Sequence, residues 1–534
     1  MPESPATPGG ASVSGLQRAM SAGTLTSAEV TAYYLERIYR LNPALHAVIT
    51  VNADAGEQAR ASDAARAQGA ARSPLEGIPV LVKDNIEVAG MPTTAGSPAL
   101  LDGPQDRDAF IVSRLRQAGA VILGKANLSE WANFRSSHPT SGWSTLGGQT
   151  ANPFAMERNP SGSSSGSAAG VAAGLAPVAV GTETDGSIVA PASACGVVGI
   201  KPTLGLVSRT GIVPISAAQD TAGPMARSVT DAAALLSILA AADPADPATA
   251  AARPDGLNGP SPADYTSYCD PGGLRGARVG VWRAGSAAAG AATAAVLDCA
   301  VARLRSQGAV VIDPVELPDA EKIWVPEAAA LLREFKHGLE AYLAGRPGAQ
   351  YRTLAELISF NERNAGLVLA RFGQEVFEQA EATSGDLADP AYRALRADAA
   401  RLARAAVETP LVTHRLDAIV ALTASPAWLT DYVLGDHDVF HTSGPAAVGG
   451  YPAVSVPFGY VWGLPVGVSF LGARWSEPRL ITLAYAFEQA ANAPHAASAP
   501  SAPQPPPHVT TGSPPRLAET LAPLPAPVPP SRAR

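Results

Sequence analysis

The chain has 534 residues, 46% of them hydrophobic, enough to bury a large core in one big α/β domain or several smaller ones. Its 39 basic and 47 acidic residues leave a net charge of −8, mild for this length, and no Lys/Arg-rich block occurs; that balance argues against a nucleic-acid binder that works by neutralising phosphates. The most apolar run, residues 168–180, is interrupted by Gly170, Gly174 and Pro177, so it cannot supply the roughly 18 uninterrupted apolar residues of a membrane span.

Residues 1–12 are small and Pro-rich, with neither the basic nor the apolar region of a secretory signal, and are expected to be disordered. TLTSAEVTAYYLERIYRLNP opens a helix: Thr26 and Glu29 stand at capping-box spacing, and Val30, Tyr34, Ile38 and Leu41 share one face. GIPVLVKD (77–84) reads as a short apolar strand with Lys83 near its end. DAFIVSRLRQAGA (108–120) reads as a helix and AVILGKAN (120–127) as a strand. A Gly/Ser loop follows, then a small-residue helix in SAAGVAAGLA (167–176) and a strand that runs into a turn in APVAVGTETDGS (176–187).

The second half continues the alternation. ARVGVWR (277–283), AVVIDPVEL (309–317) and LDAIVALTA (416–424) read as strands, and TAAVLDCAVARLRSQ (293–307) as a helix. A mostly helical stretch covers about 326–407. YPAVSVPFGY (451–460) and LPVGVSFLG (464–472) read as neighbouring strands, and EPRLITLAYAFEQAAN (477–492) as a closing amphipathic helix. The pattern predicts an α/β fold with a large mixed or parallel twisted sheet flanked by helices on both sides. Residues 13–493 form a single domain in this reading, and 494–534 a disordered Pro/Ala-rich tail. Cys195, Cys269 and Cys299 make no CxxC pair and no disulfide framework, which fits a reducing, cytoplasmic compartment.

The chemistry concentrates in NPSGSSSGSAAG (159–170) and GTETDGSIVAPASACGVVGIKPT (181–203). Ser187 ends a turn after a buried strand, and Gly186 before it lets main-chain amides converge as an oxyanion hole requires. A serine needs a base, and none of the eight histidines sits in a recognisable triad context. The G-x-S-x-G string around Ser164 follows a Pro-containing loop rather than a strand, so it is no nucleophile elbow. Lys83 is the alternative base. It must be neutral to act, and the apolar strand before it supplies the burial that would lower its pKa; strand alternation turns the adjacent Asp84 away. Taken singly, each feature has a plainer meaning: Gly/Ser loops turn chains, strand-end lysines are solvated, and Ser187 could be a turn residue.

Taken together, these segments resemble the amidase signature family. Its Gly/Ser signature is matched by Ser161 to Ser167, its nucleophile spacing by the 187 − 163 = 24 residue step, and its G-I-P-x-x-x-K pattern by Gly77, Ile78, Pro79 and Lys83. The likeness spans most of residues 15–492 and includes GKANLSEWA (124–132), QDTAGPMARSVTDAA (219–233) and GYPAVSVPFG (450–459). It implies a catalytic triad of Lys83, Ser163 and Ser187, with Ser163 behind a cis peptide bond as proton relay. It also implies an oxyanion hole from the main chain at Thr184, Asp185 and Gly186, an acyl-enzyme, and neither metal nor organic cofactor. The turn is T-D-G-S rather than x-G-G-S, and Val189 stands where many members carry arginine. Both departures are similar to the bacterial peptide amidase branch. The implied substrate is a small-molecule or peptide amide, with primary and C-terminal peptide amides first. The alternatives are the A subunit of a tRNA-dependent amidotransferase and a non-catalytic amidase-like binding protein. Ser164 and Ser165 are expected to hydrogen-bond the loop, and Asn127 and Glu130 to be structural. Asp220 and Arg227 are expected to form a buried ion pair, and Trp131, Trp143, Trp428 and Tyr432 to line an apolar pocket.

Overall fold

The computed structural model describes residues 8–250, 264–283, 285–492 and 509–511. Ser12 caps α1 (Val13–Ser21) by accepting from the Gly15 amide. In α2 (Ser27–Leu45) the expected capping box is complete: Thr26 accepts from the Glu29 amide and the Glu29 carboxylate takes the Thr26 amide. Such a cap contributes about 1 kcal/mol. The apolar stripe buries Val30, Tyr34 and Ile38. After β1 (Val48–Val51) and α3 (Ala55–Ala67) come β2 (Pro79–Lys83), α4 (Phe110–Gln117) and β3 (Val121–Ala126). A small hairpin of β4 (Trp143–Ser144) and β5 (Gly148–Gln149) precedes α5 (Ser165–Ala172), β6 (Val178–Glu183) and α6 (Val189–Ala194).

Next are β7 (Val198–Lys201), β8 (Thr221–Ala226), α7 (Val229–Leu239), β9 (Arg278–Val281), α8 (Ala291–Ser306) and β10 (Val310–Ile312). The helical stretch expected over 326–407 resolves into α9 (Trp324–Ala344), α10 (Leu354–Arg363), α11 (Ala365–Val368), α12 (Glu375–Glu381) and α13 (Pro390–Thr413). The chain continues through β11 (Ala418–Leu422), α14 (Gly444–Gly449), β12 (Ala453–Val461), β13 (Leu464–Leu471), α15 (Glu477–Asn492) and β14 (Val509–Thr511).

Apart from the small hairpin, the described strands join one sheet in the order β1-β3-β2-β6-β8-β7-β12-β13-β11-β9-β10, with β14 added beside β12. The sheet is mixed. β2 runs parallel to both β3 and β6, and β9 to both β10 and β11, while the central β6, β8, β7, β12 and β13 alternate in direction. Helices cover both faces, as strand alternation shows: Val420 and Val454 enter the main core, whereas their neighbours Ile419 and Ala453 pack with Leu402 and Ala406 of α13. A third cluster joins Phe335 and Leu339 of α9 and Phe377 of α12 to Trp131, Val213 and Ile215, and so seats the helical segment against the loops that follow β3 and β7.

Six strands escaped the sequence reading: β1, β7 and β8, and the short β4, β5 and β14. In β8, TAGPMA contains Gly223 and Pro224, residues that weaken a central strand. The structure tolerates Pro224 because β7 pairs with β8 only at Met225 and Ala226, so no neighbour on that side requires an amide from Pro224. Among the described residues no helix is long and apolar enough to cross a membrane. Residues 1–7 of the expected N-terminal tail, and all of 494–534 except the β14 residues, lie outside the described residues.

Candidate active site

β2 and β6 lie side by side in parallel, with Val82 opposite Val180, so both strands end at the same edge of the site. Lys83 is the last residue of β2 and is fully buried. Its Nζ lies 2.7 Å from Ser163 Oγ, 2.9 Å from Thr182 Oγ1 and 3.2 Å from the Thr182 carbonyl. Burial lowers its pKa from 10.5 to about 7, against the opposing pull of the Glu183 and Asp220 carboxylates. Asp84 points to the opposite side of the strand, where it pairs with buried Lys125 at 3.0 Å and takes the Thr94 hydroxyl. Strand alternation thus separates Lys83 from the carboxylate beside it in sequence.

The Gly162–Ser163 peptide bond is cis. A side chain on Gly162 would collide with Ser129 Oγ, so only glycine fits there. The serines after it tie the loop down. Ser164 Oγ donates to the Thr182 carbonyl at 3.0 Å and accepts from the Thr182 amide at 3.2 Å, and Ser165 Oγ donates to the Ser161 carbonyl at 2.7 Å. The Ser163 carbonyl accepts from the Ser129 amide at 3.1 Å, and the Ser187 carbonyl from the Ser164 amide at 3.2 Å. The loop that carries Ser163 is therefore bonded directly to the turn that carries Ser187.

That turn leaves β6 at Glu183. Gly186 has φ +76°, and a Cβ there would lie 3.0 Å from Ser443 Oγ. Oε2 of the buried Glu183 carboxylate accepts the amides of Ile188 and Val189 at 2.8 and 3.1 Å, which bends the chain into α6. Among the described residues, no protein acceptor takes the amides of Thr184, Asp185, Gly186 or Ser187. A cluster of unengaged donors on a turn beside a serine can stabilise a developing oxyanion. From the other side, Asp220 accepts the Thr184 hydroxyl at 2.6 Å and the Ile215 and Ser216 amides at 2.8 Å each. Burial raises the Asp220 pKa to about 6, while these bonds hold it down.

A cavity of about 310 Å³ opens beside Ser163, Thr182 and Asp220, with Ala132, Ile212, Val213 and Ile215 as its apolar walls. A second, of about 350 Å³, lies across Glu183 against Val189, Trp282, Ser443 and Leu471. No cluster of His, Cys, Asp or Glu suited to a metal ion occurs among the described residues.

Two expectations are corrected. Asp220 does not pair with Arg227; Arg227 donates to the carbonyls of Ala11 and Ala176, because Asp220 sits before β8 and Arg227 just beyond its far end. Nor do the four aromatic residues line either cavity. Trp131 packs edge-on to Phe377, Trp143 against Phe372, and Arg371 covers Tyr432. Trp428 Nε1 donates to Asp436 at 3.1 Å. The structural reading of the other two polar residues agrees with the geometry: Asn127 Nδ2 donates to the His46 and Gly148 carbonyls, and Glu130 pairs with Arg135 at 2.5 Å in full burial. Sequence reasoning missed Thr182, Glu183 and Gln219. The register of β6 against β8 would have found Gln219, since Glu183 faces Thr221 and the residues before β8 must lie beside those after β6.

The fold and this site define a class. The sequence matches the amidase family over residues 29–481, and the chain belongs to that family; it is a hydrolase of amide C–N bonds. A protein of Arabidopsis thaliana described as a probable amidase is 44% identical over 492 residues, 90% of each chain. Two structures of peptide amidase are similar throughout. The native enzyme from Stenotrophomonas maltophilia is 50% identical with TM-score 0.85, over 90% of this chain and 96% of that one. A peptide amidase bound to the competitive inhibitor chymostatin is 51% identical with TM-score 0.86, over 90% and 97%. In Symbiobacterium thermophilum, the A subunit of the glutamyl-tRNA(Gln) amidotransferase is 37% identical over 492 residues, 89% of this chain and 95% of its own.

Proposed function

We propose that this amidase hydrolyses primary carboxamides, C-terminal peptide amides first among them, with Ser187 as nucleophile, Ser163 as proton relay and Lys83 as general base. The observation that carries the reading is the 2.7 Å contact between a fully buried lysine and Ser163, on a loop bonded to the Ser187 turn. With a pKa near 7, a large fraction of Lys83 is neutral at neutral pH and can accept a proton.

Ser187 Oγ attacks the carboxamide carbon while its proton passes to Ser163 Oγ and the Ser163 proton to Lys83 Nζ. The unengaged amides at 184–187 receive the oxyanion. The proton then returns from Lys83 through Ser163 to the amide nitrogen, the C–N bond breaks, and ammonia leaves an ester on Ser187. Water repeats the sequence from the other side, releasing the carboxylic acid and regenerating the serine. Similarity to peptide amidase, one structure of which holds chymostatin as a competitive inhibitor, supports a peptide amide as substrate. Val189 supports it over glutamine: the cavity it lines with Trp282 and Leu471 carries no cation, and Arg209, on the wall of the cavity beside Ser163, is paired with Asp246 at 2.5 Å.

The test is ammonia release from a panel of peptide amides, aliphatic and aryl amides and glutamine, by wild type and by Ser187→Ala. Peptide amides should lead the panel, and Ser187→Ala should lower turnover by at least roughly 10⁴-fold with the fold intact. Substantial residual turnover in that variant refutes the nucleophile. Strong glutaminase activity that requires added partner subunits would move the assignment to the amidotransferase class.

A further inference from the structure

Gln219 is 1% exposed and sits in the interior where the oxyanion turn meets the helical segment. Its side-chain amide is fully used. Arg396 of α13 donates to its Oε1 at 2.6 Å, which fixes which end of the amide is oxygen. Its Nε2 then directs two hydrogens, one to Glu327 Oε1 of α9 at 2.7 Å and one to the Thr184 carbonyl at 3.2 Å. The backing is firm. Arg396 forks onto Glu334 at 2.8 and 2.5 Å, and the Tyr392 hydroxyl donates to the same carboxylate at 2.7 Å. The next residue, Asp220, holds the Thr184 hydroxyl. Two consecutive residues thus grip the two oxygens of Thr184.

A trans peptide unit is planar, and its carbonyl and the following N–H point in opposite directions. Holding the Thr184 carbonyl therefore aims the Asp185 N–H away from Gln219, out of the turn. We propose that Gln219 is a positioning residue for catalysis: through the Thr184 carbonyl it fixes the plane of the 184–185 peptide, and so the aim of the Asp185 amide at the oxyanion, and it references that aim to α9 and α13. The inference rests on the oxyanion role of the 184–187 amides given above. Being buried and fully bonded, Gln219 acts on the reaction only through Thr184.

The test compares wild type with Gln219→Met, which keeps length and removes the donors. Arg396→Lys, which keeps a cation beside Glu334 but loses the guanidinium fork, is the second variant. Four quantities are measured on folded protein: kcat and KM for a peptide carboxamide, Ki for a peptide aldehyde whose serine adduct carries an oxyanion, and Ki for the product carboxylate. Removing one oxyanion donor outright costs about 10²- to 10³-fold in kcat, so loosening one should cost roughly tenfold or more. The aldehyde Ki should rise by the same factor, with KM and the carboxylate Ki within about twofold. Arg396→Lys should shift the same two quantities by less. A rise in KM with kcat and the aldehyde Ki unchanged overturns the inference, as does wild-type kcat in both variants. The Ser187→Ala control separates the readings: if Ser187→Ala is dead and Gln219→Met is fully active, the catalytic assignment stands and only the role of Gln219 fails.

Discussion

Lys83 makes the pH dependence of this enzyme calculable. In the proposed mechanism its ammonium form must lose a proton before the Ser163 relay can run, and burial places that loss at about pH 7. With a single ionisation, kcat/KM should rise with unit slope through an acidic limb centred there. Activity at pH 6 should be about one tenth of the plateau, with a shallower fall below it as Asp220, at about pH 6, gains its own proton and no longer favours the ammonium. The carboxylates of Glu183 and Asp220 favour the ammonium, so removing one must move the limb to lower pH. Asp220→Asn removes one of these charges and keeps an oxygen for the Thr184 hydroxyl, although its N–H₂ then faces the Ile215 and Ser216 amides that Asp220 accepts. The assay is ammonia release from one peptide amide between pH 4.5 and 9, at substrate well below KM, on wild type and Asp220→Asn. A limb that stays in place, or moves to higher pH, refutes Lys83 as the group that titrates. Activity still rising tenfold per pH unit at pH 9 in wild type, as for a lysine near its ordinary 10.5, would refute the burial argument itself.

The same lysine should cost stability. Its pKa is lower folded than unfolded, so the unfolded chain binds the proton more tightly and the folded state gains as pH rises from about 7 to about 10.5. Wild type should therefore gain on Lys83→Met across that window, by roughly 5 kcal/mol at most at about 1.4 kcal/mol per pH unit; denaturant unfolding at several pH values checks it, and a difference independent of pH contradicts it. Glu130 and Arg135 are paired in full burial at the junction with the helical segment. Glu130→Leu should leave the guanidinium uncompensated and cost about 3–5 kcal/mol by denaturant unfolding, and a loss below about 1 kcal/mol would show that Arg135 finds another partner.

Much of this molecule was legible before folding. The capping box of α2, the apolar runs of β2, β3 and β6 and the amphipathic α15 are set by local patterns a few residues long. The three proposed catalytic residues were legible for another reason: Lys83, Ser163 and Ser187 lie in short motifs whose spacing is itself the signal. Strand alternation even placed Asp84 on the side away from Lys83. Sequence alone did not determine which distant segments lie side by side. β8 carries Gly and Pro and shows no strand period, yet its pairing with β6 is what brings Gln219 and Asp220 to Thr184. The partner of Asp220 was misjudged for the same reason, since the nearer arginine in sequence lies beyond the far end of β8. The pKa of Lys83 belongs to the tertiary structure as well. A strand-end lysine is ordinarily solvated; this one is stripped of water by the Ser163 loop and β6, elements 80 and 99 residues away. Short-range pattern determines what each segment is and which groups it carries, and only long-range packing decides which of those groups meet and how dry their meeting place is.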